Sequence, residues 1–177
     1  MKLYGYHTLE DRNNAEEIQL IGPRKCTRAN AWLGDGYYFW DSSEKWAHDW
    51  GVKGCKGRYM IFRGEIVIDQ NAYDLYGNVA QQEAFWALYE ELKRRKIIPE
   101  HELTVGKILA YMIKNGLFPY HTIRAGDMPN QEKSIFFGTR QKEVLRLGSR
   151  VQICLLEQET LNLQSFRVIY PEHYIKQ

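Results

Sequence analysis

The amino-acid sequence predicts an α+β fold in which a mostly antiparallel sheet carries flanking helices. β-like segments occur both before and after a helical block, and they do not alternate strictly with helices as in a parallel α/β domain. The chain has 177 residues, of which 44% are hydrophobic and 14% aromatic, which is enough to build one packed core. We therefore expect a single domain over residues 1–177, without a linker, a repeat or a low-complexity tract.

Charge and cysteine content limit the classes of function. The net charge is +2 at pH 7 and the pI is about 8.3, so the composition does not demand a nucleic-acid or membrane partner. The three cysteines are widely spaced and form no CxxC pair, which favours reduced thiols over a disulfide framework or a zinc site. No apolar run approaches the length of a membrane span, and the N-terminus lacks the apolar core of a signal peptide. These features predict a cytoplasmic protein that has no membrane partner.

The first thirty residues predict a strand, a helix and a loop. Residues 2–8 are short and β-like, with apolar side chains ahead of His7 and Thr8 at the end. Residues 10–20 read as a short helix because apolar side chains recur among charged ones. Residues 21–30 form a polar, arginine-containing loop.

Residues 32–41, Trp-Leu-Gly-Asp-Gly-Tyr-Tyr-Phe-Trp-Asp, are the most informative stretch. Two glycines two positions apart predict a tight turn, because glycine adopts positive φ without steric cost. Four consecutive aromatic residues follow, and aromatic side chains favour strands. On a strand Tyr37 and Phe39 face one way and Tyr38 and Trp40 the other. One of the two faces must therefore enter a core or line a pocket.

The next segments are a capped helix and the longest β signal of the chain. Residues 41–43, Asp-Ser-Ser, read as the N-cap of a helix over residues 44–50, which Gly51 closes. Residues 58–69 are dense in isoleucine and other β-forming side chains, so we expect a central strand there.

The helical block spans about residues 79–116 and is expected to be an insertion between strands. Residues 79–96 carry apolar side chains at helical spacing and end in four basic residues, which suit a helix C-terminus. Thr104 is predicted to cap a second helix over residues 105–115, with Gly116 just beyond its end.

The last third predicts short strands. Residues 120–124, 150–156 and 165–170 read as strands, and residues 125–147 read as a polar loop in which 135–138 form a possible strand fragment. On the strand after the loop, Gln152 faces away from the apolar side chains of its neighbours.

The turn and the aromatic strand resemble a signature of the ADP-ribosyltransferases, in the branch similar to diphtheria toxin and PARP. That signature is Gly-x-Gly-x-Tyr-Phe, then a small or acidic residue and a helix. The family places a His, a Tyr and a Glu on three strands, and its Tyr stacks on nicotinamide. The resemblance identifies Tyr38 as that tyrosine and His7, in a His-Thr context, as the histidine. It extends from residue 3 to about residue 169.

The late strand, Arg-Val-Gln-Ile-Cys-Leu, departs from the family pattern. It is similar to the His-Ile-Gln-Ile-Cys-Val strand of small bacterial members that also carry Trp-Leu-Gly-Asp-Gly. Gln152 therefore stands where the family usually has Glu. A carboxylate best stabilises the cation that develops when nicotinamide leaves NAD, and an amide carries no charge. By analogy, we expect slow turnover, or transfer of one ADP-ribose and no polymer.

The resemblance implies a split, mostly antiparallel ADP-ribosyltransferase fold, NAD as substrate and no metal. The implied activity is transfer of ADP-ribose to a macromolecular acceptor, either protein or nucleic acid, by a toxin or defence effector that a cognate antitoxin could restrain. The implied catalytic residues, meeting in one cleft, are His7, Tyr38 and Gln152. The expected NAD-binding residues are His7, Thr8, Tyr38, Arg124 and Arg28, the arginines because guanidinium suits phosphate.

Alternatives remain open from the residues. Tyr38 fits a core strand, His7 a hydrogen-bonded structural site, and Gln152 a solvent-facing position. Glu157 and Glu159 offer the Glu-x-Glu of the arginine-modifying branch, without that branch's other motifs. The protein could also be a catalytically weak or inactive module that binds NAD or ADP-ribose, or an NAD glycohydrolase.

Overall fold

The computed structural model describes residues 1–127, 133–137 and 143–175. The strands are β1 (Lys2–Glu10), β2 (Tyr37–Asp41), β3 (Tyr59–Val67), β4 (Ala72–Asp74), β5 (Thr122–Gly126), β6 (Lys133–Phe137), β7 (Glu143–Leu147), β8 (Val151–Leu155) and β9 (Arg167–Tyr170). The α-helices are α1 (Ala15–Ile21), α2 (Glu44–Gly54), α3 (Val79–Arg94) and α4 (Val105–Lys114). Of the helices in the described ranges, none is long and apolar enough to cross a membrane.

Seven strands form one sheet in the order β4-β5-β8-β2-β1-β3-β9. β4 and β5 run parallel, and the other neighbours in this sheet are antiparallel. β6 and β7 pair with each other as a separate antiparallel hairpin. The predicted α+β class with a mostly antiparallel sheet is confirmed.

The register divides the side chains between two faces of the sheet. The first face carries Phe39, Phe62 and Ile153, which form a core with α1 and with the chain after β8. On the second face, α2 covers β1 and β3, and its core includes Trp40, Trp46 and Ile61. Farther along the second face, α3 and α4 cover β5 and β8 through a core that contains Leu33, Tyr73, Leu92, Ile108, Leu109, Met112, Ile123 and Cys154. The predicted alternation along β2 is confirmed.

Side-chain caps begin three of the helices. Ser43 accepts a hydrogen bond from the Trp46 amide at the start of α2, and Asn78 caps α3 in the same way. The Thr104 hydroxyl accepts from the Lys107 amide at the start of α4, as predicted. Each cap satisfies an amide that has no partner within its helix, which fixes where the helix starts.

α2 continues to Gly54, so the prediction that Gly51 closes this helix is wrong. Gly51 lies inside the helix, where a Cβ atom would come 2.3 Å from the ring of Tyr59 on β3. The glycine is there because the helix and the sheet approach closely, and not because the helix ends.

Three other predictions differ from the structure because strand pairing decides where strands form. β1 runs on to Glu10, which pairs opposite Tyr59, so α1 starts at Ala15 and not at residue 10. β4 was not predicted, because three residues are too few for a periodic signal. The predicted loop 125–147 contains β6 and β7, and the expected fragment 135–138 overlaps β6 except for residue 138, which lies outside the described residues.

Candidate functional site

The turn before β2 holds the hydroxyl of Tyr38. The Leu33 amide donates to that hydroxyl at 3.0 Å, and the hydroxyl donates to the carbonyl of Gly34 at 2.7 Å. Gly34 has φ +91°, which glycine adopts easily, so it lets the chain turn back over the phenol. Burial raises the pKa of Tyr38, which keeps the phenol protonated as the donor this turn needs.

Replacing Tyr38 by phenylalanine is expected to lower the free energy of unfolding by about 1–3 kcal/mol, because the Leu33 amide loses its acceptor. Urea denaturation at pH 7 measures the change. Tyr4→Phe, on an exposed ring of β1, is the matched control and should leave the midpoint unchanged. Equal midpoints for the two variants would contradict this account of the turn.

The amide of Gln152 is held at both ends. The indole Nε1 of Trp32 donates to Oε1 at 2.9 Å, and Nε2 donates to Oδ2 of Asp127 at 3.2 Å. The same Oδ2 accepts from Nη2 of Arg150 at 3.0 Å. We call Trp32, Gln152, Asp127 and Arg150 the Gln152 clamp. It joins the turn before β2 to the ends of β5 and β8.

Two indole rings position the arginine of the clamp. The guanidinium carbon of Arg150 lies 4.9 Å from the ring centroid of Trp40 and 5.5 Å from that of Trp46, which is within the range of cation–π attraction. The indole of Trp46 donates to the carbonyl of Ser149. The clamp is therefore packed against α2 through aromatic rings.

His7 lies on the other face of the sheet. Its ring packs 5.4 Å from Phe39 and 6.4 Å from Phe166 in the first core, measured between ring centroids. Nδ1 lies 2.8 Å from the carbonyl of Tyr38, and because a carbonyl only accepts, Nδ1 carries the proton. Nε2 is buried, and none of the described residues gives it a hydrogen-bond partner. Burial lowers the pKa of His7 to about 4.

The expectation that His7, Tyr38 and Gln152 meet in one cleft is therefore not met. Tyr6 pairs opposite Trp40, and Trp40 opposite Gln152, so Tyr6 and Gln152 share the second face with Tyr38. His7 follows Tyr6 on the strand and must project to the first face. The structure brings Tyr38 and Gln152 to one face and places His7 behind them.

Thr8 contacts α2. Its hydroxyl donates to the carbonyl of Ala47 at 3.0 Å, and the residue pairs opposite Ile61 of β3. The side chain thus holds α2 against β1, next to the second-face core.

Arg124 lies in the wall of a cavity of about 600 Å³ at the end of β2. Its Nε donates to Asp41 at 2.7 Å, and Nη1 donates to both oxygens of Asp74 at 3.1–3.2 Å. The two carboxylates therefore neutralise the positive charge through which Arg124 would attract a phosphate of NAD. Trp46 and Ser149 also line the cavity, so it adjoins the Gln152 clamp.

Arg28 is far from this cavity in the fold. It is exposed and lies close to Cys55, where burial raises the pKa of the thiol and Arg28 opposes that shift. Cys55 follows α2 at its C-terminal end, whereas the cavity lies at the N-terminal end of the same helix. The structure does not bring Arg28 together with Arg124.

The alternative carboxylates lie beyond the far end of β8. Glu157 and Glu159 are exposed, and Glu157 contacts His121 at 3.3 Å. Gln152 lies near the start of β8, at the opposite end of the strand. The structure thus separates this Glu-x-Glu from the clamp.

No family model, curated protein or solved structure matches this chain. Within the described ranges, no group of three or more His, Cys, Asp or Glu side chains is placed to hold a metal ion.

Sequence reasoning missed two members of the clamp. Asp127 lies in the stretch predicted as a loop, and Arg150 begins the segment predicted as a strand without any assigned role. Trp32 belongs to the motif of residues 32–41, but the motif predicts no partner for its indole. Asp127 and Arg150 lie on either side of the β6–β7 hairpin in the chain, and two such charges are a weak sequence signal. Only the pairing of β5 with β8 brings their side chains to Gln152.

Proposed function

We propose that this chain is an NAD-dependent ADP-ribosyltransferase that transfers ADP-ribose to a macromolecular acceptor. The observation that carries the proposal is the order of three strands. β8, β2 and β1 are consecutive neighbours in the sheet, and they are the strands that bear Gln152, Tyr38 and His7. That order supports a site built by Tyr38 of β2 and Gln152 of β8, with β1 bracing β2 through the bond from His7 to the Tyr38 carbonyl. The proposed role is that of a cytoplasmic toxin or defence effector restrained by a cognate antitoxin.

The proposed NAD site lies on the second face of the sheet. Tyr38 offers its ring to nicotinamide, and the Gln152 amide offers a donor and an acceptor to the ribose. In this proposal His7 has a structural role, because its imidazole bonds the Tyr38 carbonyl at the point where main-chain pairing between β1 and β2 ends. Pairing with β2 covers two residues of β1, whereas pairing with β3 covers the whole strand, which supports the split ADP-ribosyltransferase fold as part of the proposal.

The proposed reaction breaks the bond between ribose C1′ and the nicotinamide nitrogen. Both electrons of that bond leave with nicotinamide, which becomes neutral, and positive charge develops on the ribose. A nucleophile of the acceptor forms the new bond to C1′ and releases its proton to solvent. The protein contributes a flat ring surface and oriented ribose contacts.

A second candidate is a module that binds NAD or ADP-ribose without turnover. The observation that favours it is the Gln152 amide, because both of its ends already bond protein groups. An amide held in this way binds a ligand hydroxyl only through its remaining N–H and lone pair.

Labelled NAD separates these functions. We expect the protein to release nicotinamide and to label a macromolecule in a cell lysate. Tyr38→Ala should lower the release rate about tenfold or more, and Tyr38→Phe should retain it because the ring remains. Tyr4→Ala, which removes an exposed ring from the same sheet, is the control.

Each result identifies one function. Free ADP-ribose as the product in place of a labelled macromolecule would identify an NAD glycohydrolase. NAD binding by calorimetry without release of nicotinamide would identify the binding module. If the protein neither binds NAD nor releases nicotinamide, the proposal is refuted.

A further inference from the structure

We infer that Asp127 is a positioning residue for the proposed reaction. It fixes the orientation of the Gln152 amide by accepting a hydrogen bond from its Nε2. The inference rests on the proposed function, but its geometric basis is independent of it. Asp127 lies just after β5 and accepts from Gln152 Nε2 at 3.2 Å.

The two partners of Gln152 allow one orientation of its amide. An indole N–H can only donate, so the group that faces Trp32 must be the oxygen Oε1. An ionised carboxylate can only accept, so the group that faces Asp127 must be the nitrogen Nε2. A flipped amide would lose both bonds, which makes the observed orientation a consequence of the partners.

This orientation leaves one N–H and one lone pair of Gln152 for a ligand. An amide that offers a donor and an acceptor side by side is complementary to a hydroxyl group, which also donates and accepts. The hydroxyls of a ribose are such groups. Asp127 and Trp32 together therefore determine which side of a ribose each end of the amide would meet.

The carboxylate that holds Gln152 is itself ion-paired with Arg150. The side chain of Asp127 is 15% exposed and that of Arg150 20%, so water screens this pair only partly. Gln152 and Arg150 both donate to Oδ2 of Asp127. Neither of these two donors occupies Oδ1. The two indole rings over Arg150 keep the pair in place.

The clamp also explains why residue 152 is Gln and not Glu. A Glu at this position would have no N–H to donate to Asp127, and the two carboxylates would lie in contact with like charges. A combined exchange, Asp127→Asn with Gln152→Glu, should restore a bond between the two positions with donor and acceptor exchanged, while the bond that Arg150 makes to Oδ2 is lost.

A double-mutant cycle tests the inference. We expect Gln152→Glu to lower Tm by about 5 °C through repulsion, and Asp127→Asn/Gln152→Glu to recover part of that loss because the bond between the two positions is restored. We expect Asp127→Leu, which removes the acceptor of Gln152 Nε2, to lower kcat for nicotinamide release about tenfold or more, with a KM for NAD within about threefold of wild type. Asp127→Asn, whose amide oxygen can still accept from Nε2, should keep most of the wild-type kcat.

Asp69→Asn and Gln164→Glu, at exposed positions away from the clamp, are the matched controls and should change neither Tm nor kcat. If the Tm changes of Gln152→Glu and Asp127→Asn simply add in the double variant, the two side chains are not coupled, and the inferred bond between them is refuted. If Asp127→Leu keeps the wild-type kcat, the positioning role of Asp127 is refuted. If wild type releases no nicotinamide, the proposed function fails, and the Tm cycle still decides whether Asp127 orients Gln152.

Discussion

Replacing Arg124 by leucine is expected to lower the free energy of unfolding by about 3–5 kcal/mol. The guanidinium joins Asp41 and Asp74, and the three side chains are 11%, 6% and 15% exposed. Removing the cation leaves two mostly buried carboxylates without a counter-charge, which costs far more than the loss of a surface ion pair.

The position of Arg124 in the sheet increases this effect. It lies on β5 beside Asp74 of β4, and it reaches past β8 to Asp41 at the end of β2. Asp74 also accepts from the amides of Tyr76 and Gly77, so it cannot turn freely toward water. The ion pairs therefore connect three strands at the wall of the cavity.

Urea denaturation at pH 7 with a constant m-value measures the loss. Arg94→Leu is the matched control, because Arg94 also binds a carboxylate through two nitrogens but lies exposed on α3. It should change stability little. Arg124→Lys retains the charge without the two-nitrogen geometry and should fall between wild type and Arg124→Leu. Similar midpoints for Arg124→Leu and Arg94→Leu would contradict the buried ion pairs.

The second large effect concerns His7 and pH. We expect the free energy of unfolding to fall by about 3 kcal/mol between pH 6.5 and pH 4 because of this residue. Burial lowers the pKa of folded His7 to about 4, whereas the unfolded chain has the ordinary value of 6.5. A proton on Nε2 would be buried among Phe39 and Phe166, where no described residue accepts it.

The direction follows from the two pKa values. Above pH 6.5 the imidazole is neutral in both states and contributes no pH dependence. Below pH 6.5 the unfolded chain binds a proton that the folded chain does not, so stability decreases as the pH falls. Below about pH 4 both states are protonated and the contribution stops changing.

Carboxylates also titrate near pH 4, so the measurement is the difference between wild type and His7→Gln. Glutamine can still donate to the Tyr38 carbonyl, but it does not titrate. The variant should lack the slope between pH 6.5 and pH 4 that wild type shows. His101→Gln, on a side chain that is 82% exposed, should behave like wild type. Parallel curves for wild type and His7→Gln would show that His7 is not buried as a neutral base.

Local chemistry in the sequence was enough for much of the fold. Thr104 predicted the start of α4 because a hydroxyl at this position satisfies a free helix amide, and the structure has that bond. The alternation along β2 followed from strand geometry, and the run of aromatic residues identified the strand. These features depend on neighbours a few residues away, so they can be read from the chain itself.

The arrangement of the site was decided by the tertiary structure. His7 and Gln152 were both expected in one cleft, but the face on which a strand residue projects depends on its register with the next strand. The pairing of Tyr6 with Trp40 sends His7 to the first face, and the pairing of β5 with β8 brings Asp127 to Gln152. Those partners are tens of residues apart in the chain, and a shift of one residue would have placed each side chain on the opposite face.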